Sequence, residues 1–231
     1  MPNIVKKTTI VGLFDLLAPH SCRGCGRTGN PLCDRCKKYI LKNHQNYCPN
    51  CKAKNPTGNC KTCRDLPAIF VVDERNSLIG KLIYDFKFNS NRSLTRPLAE
   101  ILDSILPTIN GRVIIVPLPT NTKHIRTRGL DHTLLIAKKL AHIRGKNYQV
   151  EKILIRKANT VQVGSSAKER ERQASSAYGI NKKAKMNKDA TYILLDDIWT
   201  TGASMKSALK KLRQTGAKKT IIAVLAVNSL N

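Results

Sequence analysis

After residue 66, the spacing of apolar positions switches repeatedly between two patterns. Apolar residues recur at a period near 3.6, which predicts helices, over residues 78–88, 94–106, 130–144 and 204–215. Continuous aliphatic runs predict buried strands over residues 113–119, 152–156, 191–197 and 220–227. Gly216 follows the last helix as a predicted C-cap. Strands that alternate with helices favour an α/β fold with a mostly parallel sheet.

The first 66 residues follow a different pattern and predict a separate small domain. Residues 8–18 are spaced like a short amphipathic helix, whereas residues 20–66 are rich in Gly, Asn, Lys and Cys and poor in aliphatic side chains. A segment of this kind buries little core unaided and usually needs a metal or disulfide staple. We therefore place a domain boundary between residues 1–66 and residues 67–231.

All 8 cysteines of the chain lie in that first domain, as four CxxC pairs. The pairs are Cys22/Cys25, Cys33/Cys36, Cys48/Cys51 and Cys60/Cys63. A CxxC pair places two thiolates on one tetrahedral ion, so the set predicts two structural Zn²⁺ sites of four ligands each. The spacing leaves two arrangements open: first pair with second and third with fourth, or an interleaved pairing.

Disulfides are the alternative, and they would require an oxidising compartment. Residues 8–18 make a poor export signal because Asp15 interrupts the apolar run and no clean cleavage site follows. No stretch reaches the ~20 apolar residues that a transmembrane helix needs. We therefore expect a cytoplasmic protein without a transmembrane segment, with its thiols on metal.

The strongest candidate chemistry lies where the 191–197 strand gives way to the 204–215 helix. Two carboxylates, Asp196 and Asp197, precede a loop of small and hydroxyl-bearing residues: Thr200, Thr201, Gly202, Ala203 and Ser204. Such a loop points backbone N–H groups and a helix dipole at one spot, which favours an anion such as phosphate. The carboxylates suit the vicinal hydroxyls of a ribose, or a Mg²⁺ ion. The alternative is an ordinary helix N-cap.

The string YILLDDIWTTGAS resembles the signature of type I phosphoribosyltransferases. That resemblance implies that Asp196 and Asp197 hold the ribose hydroxyls and that residues 200–204 hold the 5-phosphate. It also implies a Rossmann-like α/β fold and binding of 5-phosphoribosyl-1-pyrophosphate, or a similar ribose phosphate, together with Mg²⁺.

Further residues resemble the ComF family of competence proteins. They are Lys87 and Phe88, VPLP at 116–119, HIRTRGL at 124–130, and the CxxC pairs, which are similar to that family's double zinc ribbon. The family often has RGFNQ where this chain has RGLDH at 128–132, and the family pattern over residues 157–178 is met only in part. The resemblance implies a role in DNA uptake during natural transformation, with single-stranded DNA and DNA-uptake proteins as partners.

In the related transferases, the loop after an early strand binds pyrophosphate and a flexible hood closes over the site. Carried onto this chain, the first comprises Pro119, Thr120, Arg126 and Arg128, and the second is residues 157–178. Arginine forks pair well with phosphate oxygens. His124, His132 and His142 are candidates for a general base by residue type only, so no catalytic base is assigned.

The net charge of the chain widens the range of ligands to be expected. The chain has 41 Lys and Arg against 15 Asp and Glu, a net charge of +26. Such a surface attracts polyanions, although generally basic chains also carry solvated lysines without a specific partner. Two hypotheses follow: a phosphoribosyltransferase acting on a small base or amine, or a non-enzymatic factor that handles single-stranded DNA and senses a ribose phosphate.

Overall fold

The structure is a computed structural model that describes residues 20–42, 44, 48–53, 55, 57–157 and 177–228. The helix predicted over residues 8–18 lies outside these ranges, as does almost all of the 157–178 segment. Each helix in the part of the chain described is too short or too polar to cross a membrane.

A five-stranded sheet organises the second domain, with strands in the order β1-β7-β6-β2-β3 and every neighbouring pair parallel. These strands are β1 (Ala68–Glu74), β2 (Val113–Pro117), β3 (Tyr148–Val150), β6 (Thr191–Trp199) and β7 (Lys219–Val227). Two further strands, β4 (Leu154–Arg156) and β5 (Tyr178–Ile180), form a separate antiparallel hairpin. The predicted α/β fold with a mostly parallel sheet, preceded by a cysteine-rich module, is confirmed.

Helices cover both faces of the sheet, as the continuous apolar runs of a parallel sheet require. The helices are α1 (Asp34–Lys42), α2 (Leu78–Phe88), α3 (Thr95–Ile105), α4 (Thr122–Arg128), α5 (His132–Arg144) and α6 (Ala203–Gln214), with a 3₁₀ turn at Arg92–Leu94. One apolar core joins α1, α2, α3 and α5 to one face of the sheet. A second core joins α6 and the β4–β5 hairpin to the opposite face.

Several elements differ from the sequence prediction. Strand β1 was not predicted, and it forms an edge of the sheet beside β7. The predicted strand at 152–156 is β4, which pairs with β5 instead of joining the main sheet. The strand at the edge of the main sheet beside β2 is β3 instead. Val113 and Ile115 of β2 pair in parallel with Tyr148 and Val150 of β3.

The first half of the cysteine module packs directly onto the second domain. Cys22, Leu32, Cys36 and Ile40 belong to the same buried core as α2 and α3. An ion pair between Lys37 and Glu100, both partly buried, joins α1 to α3. Removing this half of the module would therefore expose apolar surface on the second domain as well.

Candidate functional site

The parallel pairing of β2 and β6 brings their following loops to one edge of the sheet. Pro117, the last residue of β2, pairs with Leu195, one residue before the acidic pair on β6. A cleft of about 520 Å³ opens at this edge. Its lining joins the two predicted loops to side chains from α2, α5 and the hairpin: Arg75, Lys87, Leu118, Pro119, Thr120, Asn121, His132, Thr133, Arg156, Tyr178, Asp196, Asp197, Ile198, Trp199, Thr200, Gly202, Ser204 and Met205.

Asp196 and Asp197 form a partly buried acidic pair in the wall of the cleft. The backbone N–H of Asp197 donates to Oδ1 of Asp196 at 2.9 Å. Nζ of Lys87 lies 2.5 Å from Oδ2 of Asp197, and only 16% and 14% of these two side chains are exposed. Burial and the neighbouring Asp197 raise the pKa of Asp196 well above its usual range, against the opposing charges of Lys87 and Arg156.

The strand does not stop at the acidic pair as the sequence pattern suggested. β6 continues through Asp196 and Asp197 to Trp199, which pairs with Val227 of β7. The backbone of both acidic residues therefore belongs to a strand that is paired with β7. The turn to α6 is left to residues 200–202, and α6 begins at Ala203.

Gly202 is required in the turn for two independent reasons. Its φ of +75° lies in the left-handed region that favours glycine. A Cβ at this position would also lie 2.3 Å from Cζ2 of Trp199, whose side chain is buried. Oγ1 of Thr201 accepts from the N–H of Ala203 at 3.4 Å, whereas the N-cap position itself is Gly202, which has no side chain to cap α6.

Gly202→Ala should lower the free energy of unfolding by more than left-handed strain alone. That strain costs about 1–2 kcal/mol, and the collision with Trp199 should add roughly 1–3 kcal/mol of overpacking. Gly111→Ala is the matched control, since Gly111 has φ +84° but open space around its Cβ position. Chemical denaturation of both variants measures the difference. Equal losses would mean that Trp199 moves aside freely and does not constrain the loop.

The β4–β5 hairpin contributes Arg156 and Tyr178 to the lining of the cleft. Tyr178 is fully buried there, and Cζ of Arg156 lies 5.9 Å from the centre of its ring. Burial raises the pKa of Tyr178, against a hydrogen bond with Ser204 and the positive charge of Arg156. The Tyr178 phenol thereby adds a hydrogen bond to the apolar core that the hairpin shares with α6.

The structure brings most of the predicted site residues into this cleft. Those that line it are Pro119, Thr120, Asp196, Asp197, Thr200, Gly202 and Ser204. Thr201 and Ala203 belong to the same loop but are exposed and do not line the cleft. Arg126 is exposed on α4 and does not line it either, and the side chain of Arg128 lies outside the described residues.

Arg75, Arg156 and Tyr178 are among the lining residues that were not predicted as part of a site. Arg75 follows β1, where its backbone N–H donates to Val227 O at 2.7 Å. The sequence feature that could have indicated Arg75 is its position after the carboxyl end of a strand. Because β1 was not predicted, Arg75 was not predicted either. Arg156 ends β4 and Tyr178 begins β5, so they face each other only through a hairpin whose second strand was not predicted.

His132, a candidate by residue type, also lines the cleft, at the start of α5. Its ring is 98% buried and packs edge-on against Phe86, with centroids 4.7 Å apart. This packing gives the ring a structural role in joining α5 to α2.

The eight cysteines form two compact groups, which answers the question of their pairing. Cys22, Cys25, Cys33 and Cys36 make one group and Cys48, Cys51, Cys60 and Cys63 the other, with the sulfur atoms of each within 4.8 Å of one another. Consecutive CxxC pairs therefore share a site, and the interleaved arrangement is wrong. Each group has the donor set of a structural Zn²⁺ site, because ligands 2.3 Å from a tetrahedral ion lie about 3.8 Å apart.

The pKa values of two thiols in the first group are shifted in opposite directions. Burial raises the pKa of Cys22, but N–H groups of Cys33, Cys25 and Gly24 outweigh it and lower the value to about 6. Burial and the neighbouring thiols raise the pKa of Cys36 to about 12. Zn²⁺ binds the thiolate form, so an ion bound in this group would displace the proton of a thiol such as Cys36.

Comparisons with known proteins find structural likeness at low identity. No protein-family model matches the chain, and no curated protein matches it in sequence. Solved structures similar to it include a hypoxanthine phosphoribosyltransferase from Staphylococcus aureus (12% identity, TM-score 0.35, 59% of this chain and 62% of that one). A purine phosphoribosyltransferase from Pyrococcus horikoshii is similar at 20% identity (TM-score 0.36, 63% and 80%).

A third similar structure is the adenine phosphoribosyltransferase of Saccharomyces cerevisiae, at 16% identity and TM-score 0.33, over 84% of this chain and 98% of that one. The matched region spans less than two thirds of the S. aureus enzyme. At TM-scores of this size, the structural likeness carries no argument about function.

Proposed function

We propose that this chain binds 5-phosphoribosyl-1-pyrophosphate, or a closely related ribose phosphate, in the cleft between β2 and β6. The main observation in support is that an acidic pair and a glycine-containing turn follow one another at the end of β6. Both line the same cleft as residues 118–121. Carboxylate acceptors for a diol and a turn at the start of a helix therefore line one cleft.

Each part of the proposed ligand has a counterpart in the cleft. The carboxylates of Asp196 and Asp197 would accept from the ribose hydroxyls, and residues 200–204 would hold the 5-phosphate at the start of α6. Pro119 and Thr120 would lie at the pyrophosphate, with Arg126 and Arg128 on the same chain segment. Mg²⁺ would accompany the pyrophosphate, as the type I signature implies.

A phosphoribosyl transfer at this cleft would break the bond from the ribose to pyrophosphate and form one from the ribose to an acceptor. Fixed charges suit such a reaction, since positive charge develops on the ribose and negative charge on the leaving group. The acidic pair lies on the ribose side, and the guanidinium groups of Arg75 and Arg156 line the same cleft. We propose a ComF-like phosphoribosyltransferase, or a derivative of one, with two structural Zn²⁺ ions in its cysteine module.

The role in DNA uptake and the binding of single-stranded DNA stay predictions, as does the cytoplasmic location. Their support is the ComF-like sequence and the net charge of +26. Aromatic residues make up 5% of the chain, so we expect little base stacking and weak sequence preference.

A binding screen of the purified chain separates these functions. Calorimetric titration with phosphoribosyl pyrophosphate and Mg²⁺ should give saturable binding, while nucleoside monophosphates should bind more weakly. Single-stranded DNA should bind with an affinity that falls steeply as salt rises. DNA binding without phosphoribosyl pyrophosphate binding would refute the ribose-phosphate site, and no DNA binding at low salt would leave the basic surface without a nucleic-acid role.

A further inference from the structure

Lys87 is held inside the cleft, unlike its neighbours on the outer face of α2. Tyr84 and Phe88 on the same helix are 58% and 55% exposed. The Lys87 side chain is 16% exposed and ends 2.5 Å from Oδ2 of Asp197. Burying an ammonium group is costly unless it is paired, so this placement depends on the carboxylate.

The hydrogen bonds of the acidic pair leave one oxygen open on each carboxylate. Lys87 takes Oδ2 of Asp197, and the Asp197 backbone N–H takes Oδ1 of Asp196. Within the described residues, no other hydrogen bond or ion pair reaches these two side chains. Asp196 Oδ2 and Asp197 Oδ1 therefore remain as two acceptors, which matches the two donors of a vicinal diol.

The charge of the pair is already balanced by the protein. Two adjacent carboxylates repel each other, and such a pair commonly recruits a divalent cation. Here Lys87 and Arg156 supply positive charge at the pair. A metal ion bound directly to Asp197 would face the Lys87 ammonium across one carboxylate, where like charges repel strongly.

We propose that Lys87 is the resident counter-cation of the acidic pair, so that the pair binds a ribose diol without a divalent cation of its own. Mg²⁺ then enters the cleft only on the pyrophosphate of a ligand. This inference rests on the proposed ribose-phosphate function and makes Lys87 a positioning residue, because it acts through Asp197.

Ribose 5-phosphate is the discriminating probe, since it carries the diol and the 5-phosphate but no pyrophosphate. Calorimetric titration of the wild type should give the same dissociation constant, within about twofold, in EDTA and in excess Mg²⁺. Binding that requires Mg²⁺ would overturn the role of Lys87 and leave the proposed function standing. Absence of binding for both ribose 5-phosphate and phosphoribosyl pyrophosphate in either buffer would overturn the proposed function, and this inference with it.

Three variants test Lys87 itself. Lys87→Met should weaken ribose 5-phosphate binding in EDTA by about tenfold or more, the worth of a charge-assisted hydrogen bond. Mg²⁺ should now restore part of that affinity, because the pair has lost its resident cation. Lys87→Arg should keep the charge and so retain more of the Mg²⁺-independent binding than Lys87→Met. Lys81→Met, which removes an exposed lysine from the same helix, should change neither binding nor its Mg²⁺ response.

Melting curves separate this role from a structural one. A Lys87→Met protein that is folded and binds ribose 5-phosphate in EDTA as tightly as the wild type contradicts the proposal. So does a loss of affinity that Mg²⁺ leaves unchanged and that follows a lower melting temperature. If Lys87→Met does not fold, the wild-type comparison in the two buffers decides.

Discussion

Replacing Asp196 and Asp197 together with Asn should abolish measurable binding of phosphoribosyl pyrophosphate. Each carboxylate is expected to accept a charge-assisted hydrogen bond from a ribose hydroxyl, and each such bond contributes roughly 1.5–3 kcal/mol. Losing both should weaken binding about a hundredfold or more. Calorimetric titration in Mg²⁺, with a melting curve for each protein, measures the effect.

The matched control for this variant is Asp65→Asn with Asp189→Asn. Both residues are exposed and neither lines the cleft, so the control changes the net charge equally without touching the site. It should bind like the wild type. If the double variant in the cleft also binds like the wild type and melts normally, the 200–204 turn is only a helix cap and the proposed function is wrong.

The single variants should differ in stability. Burial raises the pKa of Asp196, so the folded chain holds that proton more tightly than the unfolded chain does. Charging Asp196 therefore costs stability as pH rises through its folded-state pKa. Asp196→Asn should melt no lower than the wild type at neutral pH, whereas Asp197→Asn should melt lower because Lys87 loses its partner.

Removing metal from the cysteine module should destabilise far more than the module. Purified protein should contain about two Zn²⁺ per chain, one for each group of four cysteines. Structural Zn²⁺ contributes about 10–16 kcal/mol in zinc-finger peptides, as much as the whole stability of an ordinary domain. Because Cys22 and Cys36 belong to the core shared with α2 and α3, a strong chelator should lower the main melting transition as well.

Substitutions in the two groups separate local from shared effects. Cys25→Ser and Cys63→Ser should each reduce the zinc content to about one per chain. Cys25→Ser should lower the main transition more, since its group contributes side chains to the shared core and the second group does not. Elemental analysis that finds no zinc, with the cysteines oxidised in pairs, would contradict both the metal sites and the expected compartment.

Most of what could be predicted from the sequence depends on residues that are close together in the chain. The strand and turn around Asp196 and Gly202 depend on neighbours in the chain: an aliphatic run, two acidic residues and a glycine. The four CxxC pairs are equally local. The assignment of these pairs to two metal sites is not a local property. Four CxxC pairs of similar spacing can be combined in more than one way, and only packing selects the combination.

The residues that escaped prediction are those that reach the cleft from distant parts of the chain. Arg75 depends on β1 pairing with β7, more than 140 residues later in the sequence. Lys87 was noted as part of a motif, but its contact with Asp197 depends on the packing of α2 against the sheet edge. The helical spacing alone does not distinguish Lys87 from the exposed Lys81, six residues before it.

The base of the β4–β5 hairpin marks a place where the length of this chain can change. The backbone N–H of Lys157 donates to Ala177 O at 2.9 Å, so the chain leaves the cleft and returns to it at the same point. The entropy of closing such an excursion grows only with the logarithm of its length, and doubling that length costs about 0.6 kcal/mol. Residues could therefore be inserted or deleted between these two positions at little thermodynamic cost, while the acidic pair on β6 and the turn that follows it stay fixed.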